Sequence, residues 1–465
     1  MKFILSTWLF LFSLVFAYAQ KKSSYEIKGT IRGLKNTEVY FAHYFGSSQQ
    51  VVKDTAKVNE LGQFTFQGNE ELPKGLYLVS FSKTKYLDLI IGADHFSFET
   101  DTLDVVANMR VKGSEENEVF YTFQQEMNKQ YRALQLIPDT QTKEATRKRI
   151  IAYQKEWILK NKSLFVSKLI KSTFDPEIPP YKLPVKNAAD SAALFKYQFG
   201  YYKKHFFDNL DLNDERFIRS PFLQRKVEKF FEDLVVQESD SISKEVDILL
   251  SKIKETSMRR YVIYKIASTY ENHNVVGTDG AFVHLAEKYY IGEPNLWDTT
   301  TVRKMKERVK IIKPLLVGKK IPEMVLTDPL GKRLMLTSVP KDYTVLFMYD
   351  PECSHCKEDV PKLIEQEAFF KEKNVGIFAV SIVRDKSLWE KFIKDFKIES
   401  WYNGIDIHKN PKNGLEEYYT DFLNTYDVYS TPAIYILDKS KRIIGKKIPA
   451  DKIQDFINFY DNRKK

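Results

Sequence analysis

Apolar and polar residues alternate with a period of two through residues 25–31, 39–42, 63–66, 76–81 and 95–98, and Gly33, Gly46, Gly62, Gly75 and Gly92 punctuate the runs. That pattern predicts short, half-buried strands joined by turns, and so an antiparallel β-sandwich or barrel over residues 20–112. At Gly113 and Ser114 the period lengthens to the helical one, with Ser114 placed to cap a helix running through Phe120 and Phe123. Residues 113–316 read as an α-helical domain. Its clearest helix follows Ser220 and Pro221 and sets Val227, Phe230, Phe231, Leu234 and Val235 on one face; Tyr261, Val262, Ile266 and Tyr270 repeat the pattern. Pro176, Pro179 and Pro180 break the helical texture. Aromatic and basic residues interleave over 199–207, which on a helix reads as a core face beside a solvated one rather than a lipid or nucleic-acid patch.

A third domain, 317–465, opens at the interruption 318–322. The run 343–349 is apolar and β-branched without alternation, as in a strand buried on both faces of a central sheet. Asp350, Pro351 and Glu352 end it, Cys353 falls in the turn, and Cys356 lies in the first turn of a helix whose inward face carries Val360, Leu363 and Ile364. Residues 438–442 read as a hairpin turn, followed by a strand over 443–448 and a last helix with Ile453, Phe456, Ile457 and Tyr460 on one face.

Chemistry enters through the cysteines. The chain has two in 465 residues, three positions apart. Chance would place two cysteines so in roughly one chain in two hundred. The spacing brings their Cα atoms within disulfide range, and a helix N-terminus stabilises a thiolate. Cys353 at the exposed end is the expected nucleophile and Cys356 the resolving thiol. His355, between them, can carry charge near neutral pH and favour the Cys353 thiolate, which would make the disulfide more oxidising. A zinc half-site would need a second Cys or His pair, which the sequence does not offer at suitable spacing. Copper held by both thiolates and a distant histidine is chemically reasonable, and a structural crosslink over so short a loop would be a weak staple. Redox exchange without a cofactor or metal is the expectation. His43, His95, His205, His273 and His284 show no metal-ligand spacing.

The formal charge of +10, from 72 basic and 62 acidic residues, is spread along the chain. It argues weakly for acidic partners or a membrane surface and against nucleic acid. Met1 and Lys2, the apolar run 3–16 and the small residues Ala17 and Ala19 have the form of a secretory signal cleaved after Ala19, with an uncleaved anchor as the alternative. No cysteine follows that run to take a lipid, and no other stretch is long enough to span a bilayer as a helix. An exported, periplasmic protein is expected.

From about Gly318 onward the chain resembles the TlpA and ResA type of thioredoxin-fold thiol:disulfide oxidoreductase. The resemblance rests on residues 319–322 and 326–331, similar to the family's leading hairpin, on residues 350–361 with Pro361 at the helix-kinking position, and on Tyr429, Ser430, Thr431 and Pro432 before the strand 433–437. It implies that Thr431 and Pro432 form a cis-proline loop facing the disulfide, whose backbone pairs with bound substrate. It also implies a disulfide between Cys353 and Cys356, protein disulfide or dithiol substrates, and a membrane redox partner. Family members carry an acid three positions after the second cysteine, here Asp359. Thioredoxins bury an acid six positions before the first cysteine, where this chain has Phe347, so proton transfer to Cys356 falls to Asp359, Glu358 or water. More loosely, the first two-thirds resemble exported Bacteroidota proteins in which a small β domain and a helical domain precede such a module. A reductase is the favoured reading. The alternative is an envelope binding or scaffold protein with an accessory or sensing redox module.

Overall fold

A computed structural model describes residues 23–273, 275–410 and 412–464. The expected signal segment and its cleavage site lie outside the described residues. The chain divides into two compact units, one ending at Arg225 and the other running from Lys226 to Lys465.

The first unit opens with eight strands: β1 Tyr25–Arg32, β2 Glu38–Phe45, β3 Gln49–Lys57, β4 Gln63–Gly68, β5 Gly75–Ser80, β6 Tyr86–Ile91, β7 His95–Asp101 and β8 Arg110–Lys112. They form two four-stranded sheets, β4-β1-β7-β8 and β3-β2-β5-β6. The alternation in β1 and β4 sends Ile27, Ile31, Phe64 and Phe66 into a core shared with Phe41, Tyr77 and Leu89. Gly29 has no room for a side chain, since a Cβ would sit 2.3 Å from the Phe64 ring. The expectation of a purely antiparallel domain is corrected at one pair. β1 and β7 run parallel, with Glu26 opposite His95 and Arg32 opposite Asp101. The chain builds the whole second sheet between them, and a crossover of that length is what parallel neighbours need.

Helices follow: α1 Glu115–Gln135, α2 Thr140–Lys160, α3 Phe165–Ser172, α4 Ala188–His205, α5 Pro221–Leu234, α6 Ser239–Ser251, α7 Thr256–Glu271, α8 Asp279–Leu285 and α9 Thr299–Ile312. Ser114 is the N-cap residue of α1, but its hydroxyl accepts from the Asn117 side chain at 2.8 Å and caps no backbone N–H. Asn117 in turn bonds both backbone groups of Ile90, at 2.7 Å each, tying α1 to β6. The reading of 199–207 as a core face is also corrected. No residue of α4 is fully buried, and Phe206 and Phe207, past its end, are the ones that enter the core. The unit boundary falls inside α5.

The second unit joins α6 to α9 with the C-terminal sheet. Its elements are β9 Val325–Thr327, β10 Arg333–Met335, β11 Tyr343–Tyr349, α10 Ser354–Ile364, α11 Glu367–Glu372, β12 Val375–Ser381, α12 Lys386–Phe396, β13 Tyr402–Ile405, β14 His408–Lys409, β15 Glu416–Glu417, α13 Phe422–Tyr426, β16 Ala433–Asp438, β17 Ile443–Lys446 and α14 Ile453–Lys464. The sheet order is β10-β9-β13-β12-β11-β16-β17, with β11 parallel to β12 and antiparallel to β16. Side chains of a strand alternate between faces, so Val345, Phe347 and Tyr349 pack under α10, α12 and α14, with Val360, Trp389 and Ile453. Leu346 and Met348 pack on the other face with Leu336, Tyr426 and Leu437. Two buried faces explain the unbroken apolar run of β11. The helical region packs on the same unit: Val276 reaches the first of these cores and Leu315 the second.

Candidate active site

Where β11 ends, the chain must turn into α10 without a partner strand, and Asp350 organises that turn. Its carboxylate accepts from the Glu352 N–H at 2.8 Å and its carbonyl from the Cys353 N–H at 3.1 Å. Pro351 has no N–H to satisfy. Cys353 then occupies the N-cap position of α10 with extended backbone, and its carbonyl accepts from Lys357 N at 3.2 Å. Cys356 lies one turn in and is fully buried, whereas Cys353 is half-buried. Both are free thiols. Downstream, the Thr431–Pro432 peptide is cis, and the Cys353 thiol reaches the Thr431 carbonyl at 3.4 Å across a sequence separation of 78 residues.

The two thiols differ in acidity. For Cys353 burial opposes ionisation. The Cys356 N–H, the Thr431 side chain, the Cys356 thiol and the His355 N–H outweigh it and hold its pKa below the usual thiol range. For Cys356 burial wins and pushes the pKa up to about 12. Only thiolate reacts with iodoacetamide. Alkylation of the reduced chain, followed by peptide mass spectrometry, is therefore expected to label Cys353 alone at neutral pH, at a rate that climbs through a pKa below the ordinary one and then levels off. Cys356 should become reactive only after denaturation; equal labelling of both in the native chain would contradict this asymmetry.

Four residues singled out in the sequence, Cys353, Cys356, Thr431 and Pro432, come together here. The other three stand apart from the sulfurs in different ways. His355 is exposed and its Nδ1 faces the Glu358 carboxylate at 3.5 Å, with that side chain also exposed. The expected push on the Cys353 thiolate thus comes from the His355 backbone N–H, because the imidazole is turned to Glu358. Asp359 is more enclosed, at 17% side-chain exposure, and accepts from Lys362 Nζ at 2.7 Å. Phe347 is fully buried where thioredoxins place an acid. Sequence reasoning placed the turn at Asp350 but not the carboxylate's bond to the Glu352 N–H, although an acid beside a proline is a known turn signal.

Among the described residues no three His, Cys, Asp or Glu side chains gather at metal-binding distance, and no helix is long and apolar enough to cross a membrane. The chain matches three family models: a domain of unknown function, DUF4369, over residues 25–120; another, DUF5106, over 143–313; and the AhpC/TSA family over 317–445. It is 25% identical to the thiol-disulfide oxidoreductase ResA of Bacillus cereus over 132 residues, 28% of this chain and 69% of that protein. With ResA of Bacillus subtilis it shares 23% identity over 145 residues, 31% of this chain and 74% of that protein. A domain of a possible thiol-disulfide isomerase from Cytophaga hutchinsonii is 39% identical, with 32% of this chain and 96% of that one covered and a TM-score of 0.29. Residues 317–445 thus match the AhpC/TSA family, and this C-terminal part of the chain is a thioredoxin-like, ResA-like thiol-disulfide oxidoreductase domain that follows DUF4369 and DUF5106 domains.

Proposed function

We propose that Cys353 and Cys356 are the redox couple of an exported reductase that acts on disulfides in other proteins. The carrying observation is the placement of two free thiols one helical turn apart, Cys353 at the N-cap of α10 against the Thr431 carbonyl and Cys356 fully buried. The Cys353 thiolate attacks one sulfur of a substrate disulfide, forming a mixed disulfide and expelling the substrate's other sulfur as thiolate. Cys356 then loses its proton and attacks Cys353 Sγ. The internal disulfide forms, the second substrate thiol leaves, and two electrons have passed to the substrate. A dithiol donor must return them, which is the place of a membrane redox partner.

Thr431 and Pro432 form the loop against which substrate backbone lies, a role supported by the Thr431 carbonyl standing at the attacking sulfur. Asp359 takes up the Cys356 proton, directly or through water. It is the least exposed carboxylate of the first turns of α10, and it lines the cleft beside Pro432. His355 and Glu358 adjust the local field from the surface. The reductive direction is favoured by the His355 ring facing Glu358, since a strong oxidant stabilises its reduced form with a cation at the thiolate. The apolar N-terminal run supports export to the periplasm.

The purified, reduced full-length chain is expected to reduce insulin and to show an equilibrium potential nearer about −270 mV than about −120 mV. A potential at the oxidising end would reverse the direction, and no disulfide reduction at all would remove the reading.

A further inference from the structure

Two long helices of the first compact unit bury almost nothing. α2 and α4 are 21 and 18 residues long, yet α2 buries Ile150 alone and α4 no residue fully. The inner face of α4 rests on the loop before it, where the Tyr197 hydroxyl donates to the Pro179 carbonyl at 3.2 Å and the Tyr202 hydroxyl to the Asp175 carboxylate at 2.8 Å. Its outer face sets Ala188, Ala192, Phe195 and Phe199 in line at helical spacing, all exposed, with the two phenyl rings stacked 6.0 Å apart. On α2, Ile150, Tyr153 and Trp157 pack in the core with Phe123 and Met127 of α1. That turns Ile151, Lys155 and Leu159, spaced four apart, to the opposite side. Lys155 pairs with Glu177 of the loop, which joins this side of α2 to the exposed Ile178, Leu183 and Val185 and, through them, to α4. Leu159, Leu183 and Phe195 are 71, 65 and 68% exposed, and the grouping of such side chains marks a surface that meets something other than water.

The same surface holds the charge of the chain. Basic and acidic residues occur throughout the sequence, but the excess is local: residues 140–205 carry 14 Lys and Arg against 5 Asp and Glu, a net +9 of the chain's +10. Lys155 is taken by Glu177, and Lys168 by Asp211 and Asp214. Lys160, Lys162, Lys182, Lys186, Lys196 and Lys204 are exposed and form no ion pair among the described residues. A second copy of the chain would bring the same +9 against this face and be repelled. A protein partner is also a poor match, because protein interfaces enrich Arg and deplete Lys, and 12 of these 14 cations are lysines. A lysine stem lies along apolar groups while its ammonium reaches outward to phosphate. Anionic phospholipid offers both halves of that environment.

We propose that the outer side of α2, the loop 173–187 and the outer face of α4 form a peripheral membrane-binding surface for anionic phospholipid. Leu183, Phe195 and Phe199 enter the headgroup layer, and the surrounding lysines meet its phosphates. The helical region thereby keeps the thiol chemistry of the same chain at a membrane surface. Binding of this kind needs nothing from Cys353 or Cys356, so its failure and the failure of disulfide exchange are separable.

The test is co-sedimentation with lipid vesicles of the chain from Gln20 onward, so that the apolar run 3–16 takes no part. At about 0.1 M salt the chain is expected to bind phosphatidylcholine vesicles containing about 30% phosphatidylglycerol at least about tenfold more tightly than pure phosphatidylcholine. It should dissociate at about 1 M salt, where the screening length falls from about 10 Å to about 3 Å. The combined variant Lys182→Glu, Lys186→Glu, Lys196→Glu and Lys204→Glu should weaken binding at least about tenfold, and so should Leu183→Ser with Phe195→Ser and Phe199→Ser. A control places the same change of net charge on exposed lysines of the β domain, Lys53→Glu, Lys57→Glu, Lys83→Glu and Lys85→Glu, and is expected to stay within about threefold of wild type. Every substituted side chain is exposed, and circular dichroism checks that each variant is folded. No binding to the anionic vesicles at low salt, an equal loss in the control, or undiminished binding by the triple serine variant would each overturn the proposal. A dimer that the triple serine variant abolishes, with no vesicle binding, would assign the face to a second copy instead.

Discussion

Cys356→Ser is expected to leave the chain covalently joined to its natural substrate. Attack by Cys353 needs nothing from position 356, so the mixed disulfide still forms. Its resolution needs a second thiol within reach, and Cys356 is the other cysteine of the chain. Serine fits the buried site, yet a hydroxyl does not displace a thiolate from a disulfide at neutral pH. Affinity purification from native cells should give a higher-mass species on non-reducing gels that collapses with dithiothreitol, and mass spectrometry should find the crosslink at Cys353. Absence of any such species would count directly against an exchange mechanism.

Cys353→Ser is expected to have a larger kinetic effect, a loss of at least about a thousandfold in disulfide reduction, with no crosslinked product. The remaining thiol is fully buried. Burial is the main cause of its raised pKa and persists in this variant, so little of it is thiolate at neutral pH. The variants fail in opposite ways because the fold treats the sulfurs differently. Cys353, at the helix cap, meets backbone N–H groups and Thr431, while Cys356 meets the apolar core beneath β11.

Features of this site written in neighbouring residues were legible in the sequence. The unbroken apolar run of β11, the turn at Asp350 and the inward face of α10 are local signals, and the cysteine spacing needs one helical turn to be read. Thr431 and Pro432 were found only through resemblance, since no periodicity relates them to Cys353. Strands β3, β6 and β8 escaped notice, β3 for a physical reason. In β3 all but Asp54 and Ala56 are exposed, as suits an edge strand, so the strand carries almost no apolar alternation. The parallel pairing of β1 with β7 and the bond between Arg308 and Asp427, 119 residues apart, are consequences of topology. No window of sequence contains both partners. The same blindness hid Asp406, whose partners stand up to 22 residues away.

Asp406→Ala is expected to destabilise the chain by about 3–5 kcal/mol, the range for removing one partner of a buried ionic network. Asp406 is fully buried at the end of β13, where the chain leaves the sheet to make β14 and β15 before returning to α13. Its carboxylate accepts from Arg384 Nη2 at 2.8 Å, His408 Nε2 at 3.1 Å, and the backbone N–H groups of Tyr419 and Thr420 at 2.9 and 3.1 Å. One side chain thus closes both ends of the excursion. Around it, His408 stacks on Tyr419 at 4.2 Å and Arg384 donates also to the Thr420 carbonyl at 2.9 Å. Alanine would take their shared acceptor from two backbone N–H groups and from the His408 ring, each costing about 1–3 kcal/mol when enclosed, and would leave Arg384 only the Thr420 carbonyl. Relaxation of the excursion into solvent recovers part of that, which is why the expected loss stays below the sum. Urea unfolding followed by circular dichroism measures it, with Asp406→Asn giving a smaller loss because its amide oxygen can still accept from one of the backbone donors. A shift under about 1 kcal/mol in the alanine variant would mean that the excursion is held by its own hairpin and the stacked ring, and that the carboxylate is incidental to it.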